Sequence, residues 1–190
     1  VAVGENMLRW QRDNPHIFYA DSRECGWPML AWLRNHEHDG DQRWLDACHQ
    51  VFEFYRDRMT DDGMIYYELP HGVGTSRTGY GEFIGWRACF FYWERTGLPE
   101  VKDFLVKCLT NPKVYLVTPE RLARGGWACN DLFPSWAASA ITGDPRYLRD
   151  NLPILKYMMK RGKNFPWGGV DMMYYLAAMH HLGELAATQD

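Results

Sequence analysis

The chain has 190 residues, of which 46% are hydrophobic and 24% charged, with a formal net charge of −3. That length allows a sizeable buried core, and the weak acidic balance leaves no electrostatic footprint for nucleic acid or an anionic membrane surface. No apolar run reaches the roughly 18 residues needed to span a bilayer, so neither a nucleic acid nor a membrane is expected as a partner.

Taken from its first residue, Val1-Ala2-Val3-Gly4 shows neither Met nor a signal peptide, and the chain is expected to be a mature form or a piece of something longer. The first apolar segment, residues 26–33, reads as a short inner helix. Residues 41–59 then place Leu45, Cys48, Phe52, Tyr55 and Met59 three or four apart, with Arg43, Asp46, Arg56 and Asp57 between them, the pattern of an amphipathic helix. Residues 83–93, FIGWRACFFYW, are apolar nearly all the way round, which places them inside a helical assembly. The stretch 99–109 is amphipathic again, 132–141 is apolar, 145–160 is amphipathic and 170–179 is apolar. The expected order is therefore inner, outer, inner, outer, inner, outer, inner.

The turns from inner to outer members resemble one another. They read His38-Asp39-Gly40-Asp41, Thr96-Gly97-Leu98-Pro99 and Thr142-Gly143-Asp144-Pro145, with His180-His181-Leu182-Gly183-Glu184 as a fourth. Glycine suits the left-handed position after a helix, Asp caps the next one, and Pro is tolerated in its first turn. The result is an internal repeat of helical hairpins spaced by about 40 to 60 residues, which drifts too much for the fixed tetratricopeptide period of about 34. The fold expected is all-α, a single domain over residues 1–190 with about three and a half such hairpins. The return connections, 60–81, 110–126 and 162–168, are long and rich in Tyr and Trp, as functional loops are. Within the first, a short hairpin is expected around Tyr66-Tyr67. Residues Val114-Tyr115-Leu116-Val117 pass for an isolated strand.

Chemistry is expected where the inner helices start. Glu24-Cys25-Gly26-Trp27, Glu82-Phe83-Ile84-Gly85-Trp86, Trp127-Ala128-Cys129-Asn130-Asp131 and Trp167-Gly168-Gly169-Val170-Asp171 each pair an acid with a Trp within a few positions. Parallel inner helices would gather these starts at one end, making a cleft with aromatic walls and several carboxylates. Pyranose faces stack on Trp and Tyr, and two carboxyl groups at a suitable separation act as general acid and base in glycoside hydrolysis. The plainer reading of any single acid is that it complements the dipole at a helix N-terminus. The first long loop adds His71, Arg77, Tyr80 and Glu82. A Tyr–His pair abstracts a proton beside a uronate carboxylate in a lyase, and Arg is the natural fork for that carboxylate; the alternative is a polar loop closed by its own hydrogen bonds.

Other features carry less. His36-x-His38 and His180-His181 fall near helix C-termini, where imidazole complements the dipole, and no further ligand cluster points to a metal. Gly72-x-Gly74 precedes no strand–helix unit, so no dinucleotide cofactor is expected. The five cysteines, Cys25, Cys48, Cys89, Cys108 and Cys129, form no Cys-x-x-Cys pair and read as buried reduced thiols. They favour a cytoplasmic location, with a secreted or periplasmic glycan enzyme as the alternative.

Two stretches, Ala123-Arg124-Gly125-Gly126-Trp127 and Thr142-Gly143-Asp144-Pro145-Arg146-Tyr147-Leu148, resemble the six-hairpin (α/α) toroid superfamily of carbohydrate-active enzymes. That group includes unsaturated glucuronyl hydrolases and several polysaccharide lyases. The hydrolases carry a similar Arg-Gly-x-Gly-Trp approach to an inner helix, and the motif here is one residue shorter. The resemblance implies a helical hairpin ring of which this chain supplies part, the remainder coming from the same toroid or from another subunit. It also implies an enzyme acting on acidic, uronate-containing oligo- or polysaccharide without a cofactor. In that reading Asp131 works with Glu82 or Asp171 as general acid and base. Trp27, Trp86, Trp127 and Trp167 form the sugar platform, and Arg77 or Arg124 holds a uronate carboxylate. The lyase alternative moves the chemistry to Tyr80 and His71, and the non-enzymatic one is a helical-repeat scaffold that binds a glycan or protein.

Overall fold

The computed structural model describes residues 2–18, 22–65, 80–118, 132–153 and 180. These residues are mostly helical and contain no strand beyond one isolated antiparallel bridge between Met59 and Ile65. The chain divides into two compact units, Val1–Leu105 and Val106–Asp190.

The first unit holds α1 (Ala2–Asp13), α2 (Pro15–Phe18), α3 (Ser22–Asp39), α4 (Gln42–Arg56) and α5 (Tyr80–Thr96), and the division between units falls within α6 (Pro99–Leu109). Its centre is α3, which packs on both α4 and α5. Two contacts fix the direction of the pair α3 and α5. Near their starts, Gly26 lies so close to Ile84 and Gly85 that a Cβ on it would come within 2.8 Å of Ile84 Cγ2. Near their ends, Arg95 Nη2 pairs with Glu37 Oε1 at 2.6 Å. The helices therefore run parallel. The last turn of α4 meets both starts, because Tyr55 contacts Gly85 and its Oη stands 3.1 Å from Cys25 Sγ. Helix α4 thus runs the opposite way to both. Trp32, Trp44, Phe52, Tyr55, Trp86 and Phe90 are fully buried and fill this core.

Helix α1 had no counterpart among the expected elements. It docks on α3 through Trp32 Nε1, which donates to the Gly4 carbonyl at 3.2 Å. Gly4 permits the approach, since a Cβ there would collide with the Asn35 amide. Helix α3 is also longer than residues 26–33, because Arg34 to Asp39 form a solvated end that hides its period. Pro28 sits inside it without ending it.

Three of the four expected turns are present with a common geometry; the fourth, over residues 180–184, lies outside the described residues but for His180. Gly40, Gly97 and Gly143 have φ of 71°, 68° and 72°, the left-handed region in which only glycine is unstrained. Each donates its N–H back to the helix it ends, to His36 O at 2.9 Å, Trp93 O at 2.7 Å and Ser139 O at 2.8 Å. The residue before each glycine accepts from the N–H two positions on: Asp39 Oδ1 from Asp41, Thr96 Oγ1 from Leu98, and Thr142 Oγ1 from Asp144. Asp41 and Asp144 then accept from the first turns of the following helices, at Arg43 N and Arg146 N, both at 2.9 Å.

The second unit contains α7 (Pro112–Tyr115), α8 (Leu132–Thr142) and α9 (Arg146–Arg149). The strand expected over residues 114–117 is instead the end of one helical turn, capped by Asn111 accepting from Lys113 N, followed by an extended Leu116. Val117 N–H finds its acceptor in Asn151 Oδ1 at 2.8 Å and needs no partner strand. The continuous helix expected over 145–160 is interrupted at Asp150–Asn151. Asn151 is fully buried, and its amide donates to Ser135 Oγ, Tyr115 O and Tyr147 O at 2.6, 3.0 and 3.1 Å. A side chain that satisfies this many buried groups outweighs the helical continuity that the apolar spacing suggests. Tyr115 and Tyr147 meet edge-on at 4.9 Å beside it.

Candidate functional site

Of the four helix starts with an acid and a Trp, the described residues include two, those of α3 and α5. The structure brings them together. Because the two helices are parallel and in contact at Gly26 and Gly85, Trp27 and Trp86 follow the same Gly–Trp pattern on adjacent helices. Their environments differ. Trp27 is 46% exposed, whereas Trp86 is 0% exposed and contributes to the core. Trp27 is therefore the one of these two whose ring reaches solvent, and Trp86 offers no face for stacking.

Tyr80 and Glu82 lie in the first turn of α5 as backbone, and their side chains fall outside the described residues. Asp131 directly precedes α8 in sequence, and it lies outside the described residues with Asp171, His71, Arg77, Arg124, Trp127 and Trp167. Tyr66 and Tyr67 do so too; short of them, Gly63 with φ of 78° turns the chain back so that Met59 and Ile65 pair.

The visible part of the site has a definite electrostatic character. Two helices of several turns each present their N-terminal ends together. Each such end leaves backbone N–H groups without an intrahelical acceptor and carries a partial positive charge. Between them Cys25, Gly26, Tyr55, Ile84 and Gly85 are all buried. A carboxylate or a hydroxyl-rich ligand suits such an end. At the opposite end of the pair, Glu37 is held below the usual carboxylate range by its hydrogen bond from Arg34 and then by that from Arg95. His36 and His38 lie in the last turn of α3, as their spacing suggests. Among the described residues no group of three or more His, Cys, Asp or Glu side chains is arranged to hold a metal. No helix of the described residues is long and apolar enough to cross a membrane.

Two arrangements had no signal in the sequence pattern. One is a chain of polar groups on α4 and α5: His49 Nδ1 lies 3.1 Å from Tyr92 Oη, and His49 Nε2 lies 3.9 Å from Glu53 Oε1. Burial pushes the Tyr92 phenol above its ordinary range. The other is an open groove of about 620 Å³ between α1 and α4, lined by residues that include Glu5, Arg9, Arg12, Arg43, Asp46 and Gln50. Both join residues far apart in sequence, which no local period reports.

No family model matches this chain, and no significantly similar protein was found among curated proteins or solved structures.

Proposed function

We propose that the chain acts on acidic, uronate-containing oligo- or polysaccharide as a glycoside hydrolase, and that its hairpins are part of an (α/α) toroid. The observation that carries this reading is the parallel packing of α3 and α5, which sets two of the acid-and-Trp helix starts side by side. The repeated glycine turns support hairpins of one kind following each other along the chain. Trp27, exposed at such a start, supplies a ring on which a pyranose stacks. The paired helix N-termini favour a ligand that carries a carboxylate.

In this reading Asp131, with Glu82 or Asp171, supplies the general acid and base. One carboxyl group protonates the glycosidic oxygen and the other draws a proton from the attacking water. Trp127 and Trp167 extend the platform begun by Trp27, and Arg77 or Arg124 binds the uronate carboxylate as a bidentate fork. The test is the ultraviolet absorbance of the unsaturated uronate, followed on uronate-rich glycans and on unsaturated oligosaccharides made from them. A falling signal on the oligosaccharides, lost in Asp131→Asn, supports hydrolysis. A rising signal on the glycan, lost in Tyr80→Phe or His71→Ala, replaces it with β-elimination. No change in either, with binding that depends on Trp27, replaces both with a non-catalytic scaffold.

A further inference from the structure

The groove between α1 and α4 lies on the first half of α4, away from the last turn that meets the starts of α3 and α5. At about 620 Å³ it has the size of small-molecule sites. Its floor includes a side-chain amide pair, Gln11 Nε2 to Gln50 Oε1 at 3.3 Å, in which Gln11 is buried. Arg43 on its α4 wall is fixed in place by Asp41 Oδ2, with Nε at 2.8 Å and Nη2 at 2.6 Å, and its Nη2 reaches across to Glu5 on α1 at 3.0 Å. The facing wall carries Arg9 and Arg12, one turn apart; Arg12 Nε pairs with the neighbouring Asp13 Oδ1 at 2.9 Å, and Arg9 pairs with no carboxylate among the described residues. Across from them stand Gln50 and Asp46, whose Oδ1 accepts from Gln42 Nε2 at 3.1 Å and whose carboxylate has a second oxygen to accept with.

We propose that this groove binds a small polyhydroxylated carboxylate. The guanidinium of Arg9, seconded by Arg12, takes the carboxylate, while Asp46 accepts from hydroxyl groups and the Gln11–Gln50 amide pair fixes the floor. A lining this polar gains little by covering with an apolar helix, because its guanidinium and carboxylate groups would each lose water. A ligand that matches them group for group replaces that water with charge-assisted hydrogen bonds. The site stands apart from the hydrolase reading and requires no turnover.

The experiment is titration of the whole chain with glucuronate and, separately, with glucose, read by calorimetry and by amide chemical shifts. Glucuronate is expected to bind, with shifts at Gln11, Asp46 and Gln50, and glucose to bind at least about tenfold more weakly for want of the carboxylate. Arg9→Gln combined with Arg12→Gln is expected to remove the preference. Equal binding of the two sugars, or shifts confined to other residues, would each overturn the proposal. The shift map of the unaltered chain decides the matter even where the double variant folds poorly. Failure of hydrolysis leaves this outcome untouched, so the two readings fail separately.

Discussion

Cys25 Sγ stands 3.1 Å from Tyr55 Oη, both side chains fully buried, at the point where the last turn of α4 meets the first turns of α3 and α5. Around this contact the backbones approach more closely than side chains allow. Gly26 faces Ile84 and Gly85, and Gly85 in turn faces the Tyr55 ring, with an added Cβ 2.9 Å from it. The juxtaposition of the two helix starts thus depends on two glycines that sit in neither a turn nor a cap.

Gly85→Ala and Gly26→Ala are expected to destabilise the chain by about 1–3 kcal/mol, despite the gain in helix propensity, because the new methyl overpacks a filled core. Thermal unfolding followed by circular dichroism checks this. A rise in melting temperature for either variant would show that the helices have room to separate.

The left-handed turn glycines behave differently. A Cβ at Gly40, Gly97 or Gly143 meets nothing within 4 Å, so the cost of alanine there is conformational alone. It amounts to about 1 kcal/mol at each position, since φ near 70° strains any residue with a Cβ. Asn, which tolerates that region better, is expected to recover part of the loss at each position. Denaturant titration of the three Ala and three Asn variants makes the comparison.

Trp27 and Trp86 separate binding from folding. Trp86→Ala removes a fully buried indole and is expected to cost about 3–5 kcal/mol, enough to unfold a marginal unit. Trp27→Ala is expected to leave the melting temperature within a few degrees of its original value while weakening glycan binding about tenfold or more. Affinity electrophoresis on uronate-rich glycan reads the second effect. Unchanged mobility would remove Trp27 from the proposed platform.

Acid stability follows from the first hairpin turn. Asp39 is held below the ordinary carboxylate range by the Asp41 N–H and then by Trp44 Nε1, and Asp41 by the Arg43 side chain and then its N–H. A carboxylate whose folded pKa is depressed stabilises the fold fully above its unfolded pKa. That contribution fades as the pH drops through the unfolded value and is lost below the folded one. Melting temperature is therefore expected to be level above about pH 5 and to decline below about pH 4. Asp39→Asn should shallow that decline. An identical acid profile for the variant would mean that this turn does not contribute.

Cys25, Cys48, Cys89 and Cys108 are all buried, and burial pushes the Cys48 thiol well above its ordinary pKa. None of the four is expected to react with an aromatic disulfide reagent at neutral pH until denaturant is added, because each thiol is enclosed. Mass mapping after labelling identifies the sites. Labelling of Cys48 in the native chain would contradict its burial.

Much of the helical plan can be read from residue order. The glycine turns, the amphipathic stretch that became α4, and the apolar stretch within α5 are local patterns with local causes. The docking of α1 through Trp32 and Gly4 and the break at Asn151 escape such reading, because each is set by a partner far along the chain. Trp27 and Trp86 make the same point for the candidate site. Both follow a glycine near a helix start, and only the packing of α3, α4 and α5 buries one indole and exposes the other.

What the sequence determined by itself is the helical period and the places where the chain must turn, since these depend on side chains a few residues apart and on the φ that glycine alone adopts without strain. What only the tertiary structure decided is which faces meet: that α3 and α5 run side by side with their starts in contact, and that Arg9, Arg43 and Asp46 share one groove. Contacts between distant residues depend on how apolar surfaces find the closest packing, and that is a property of the assembled core and not of any single segment.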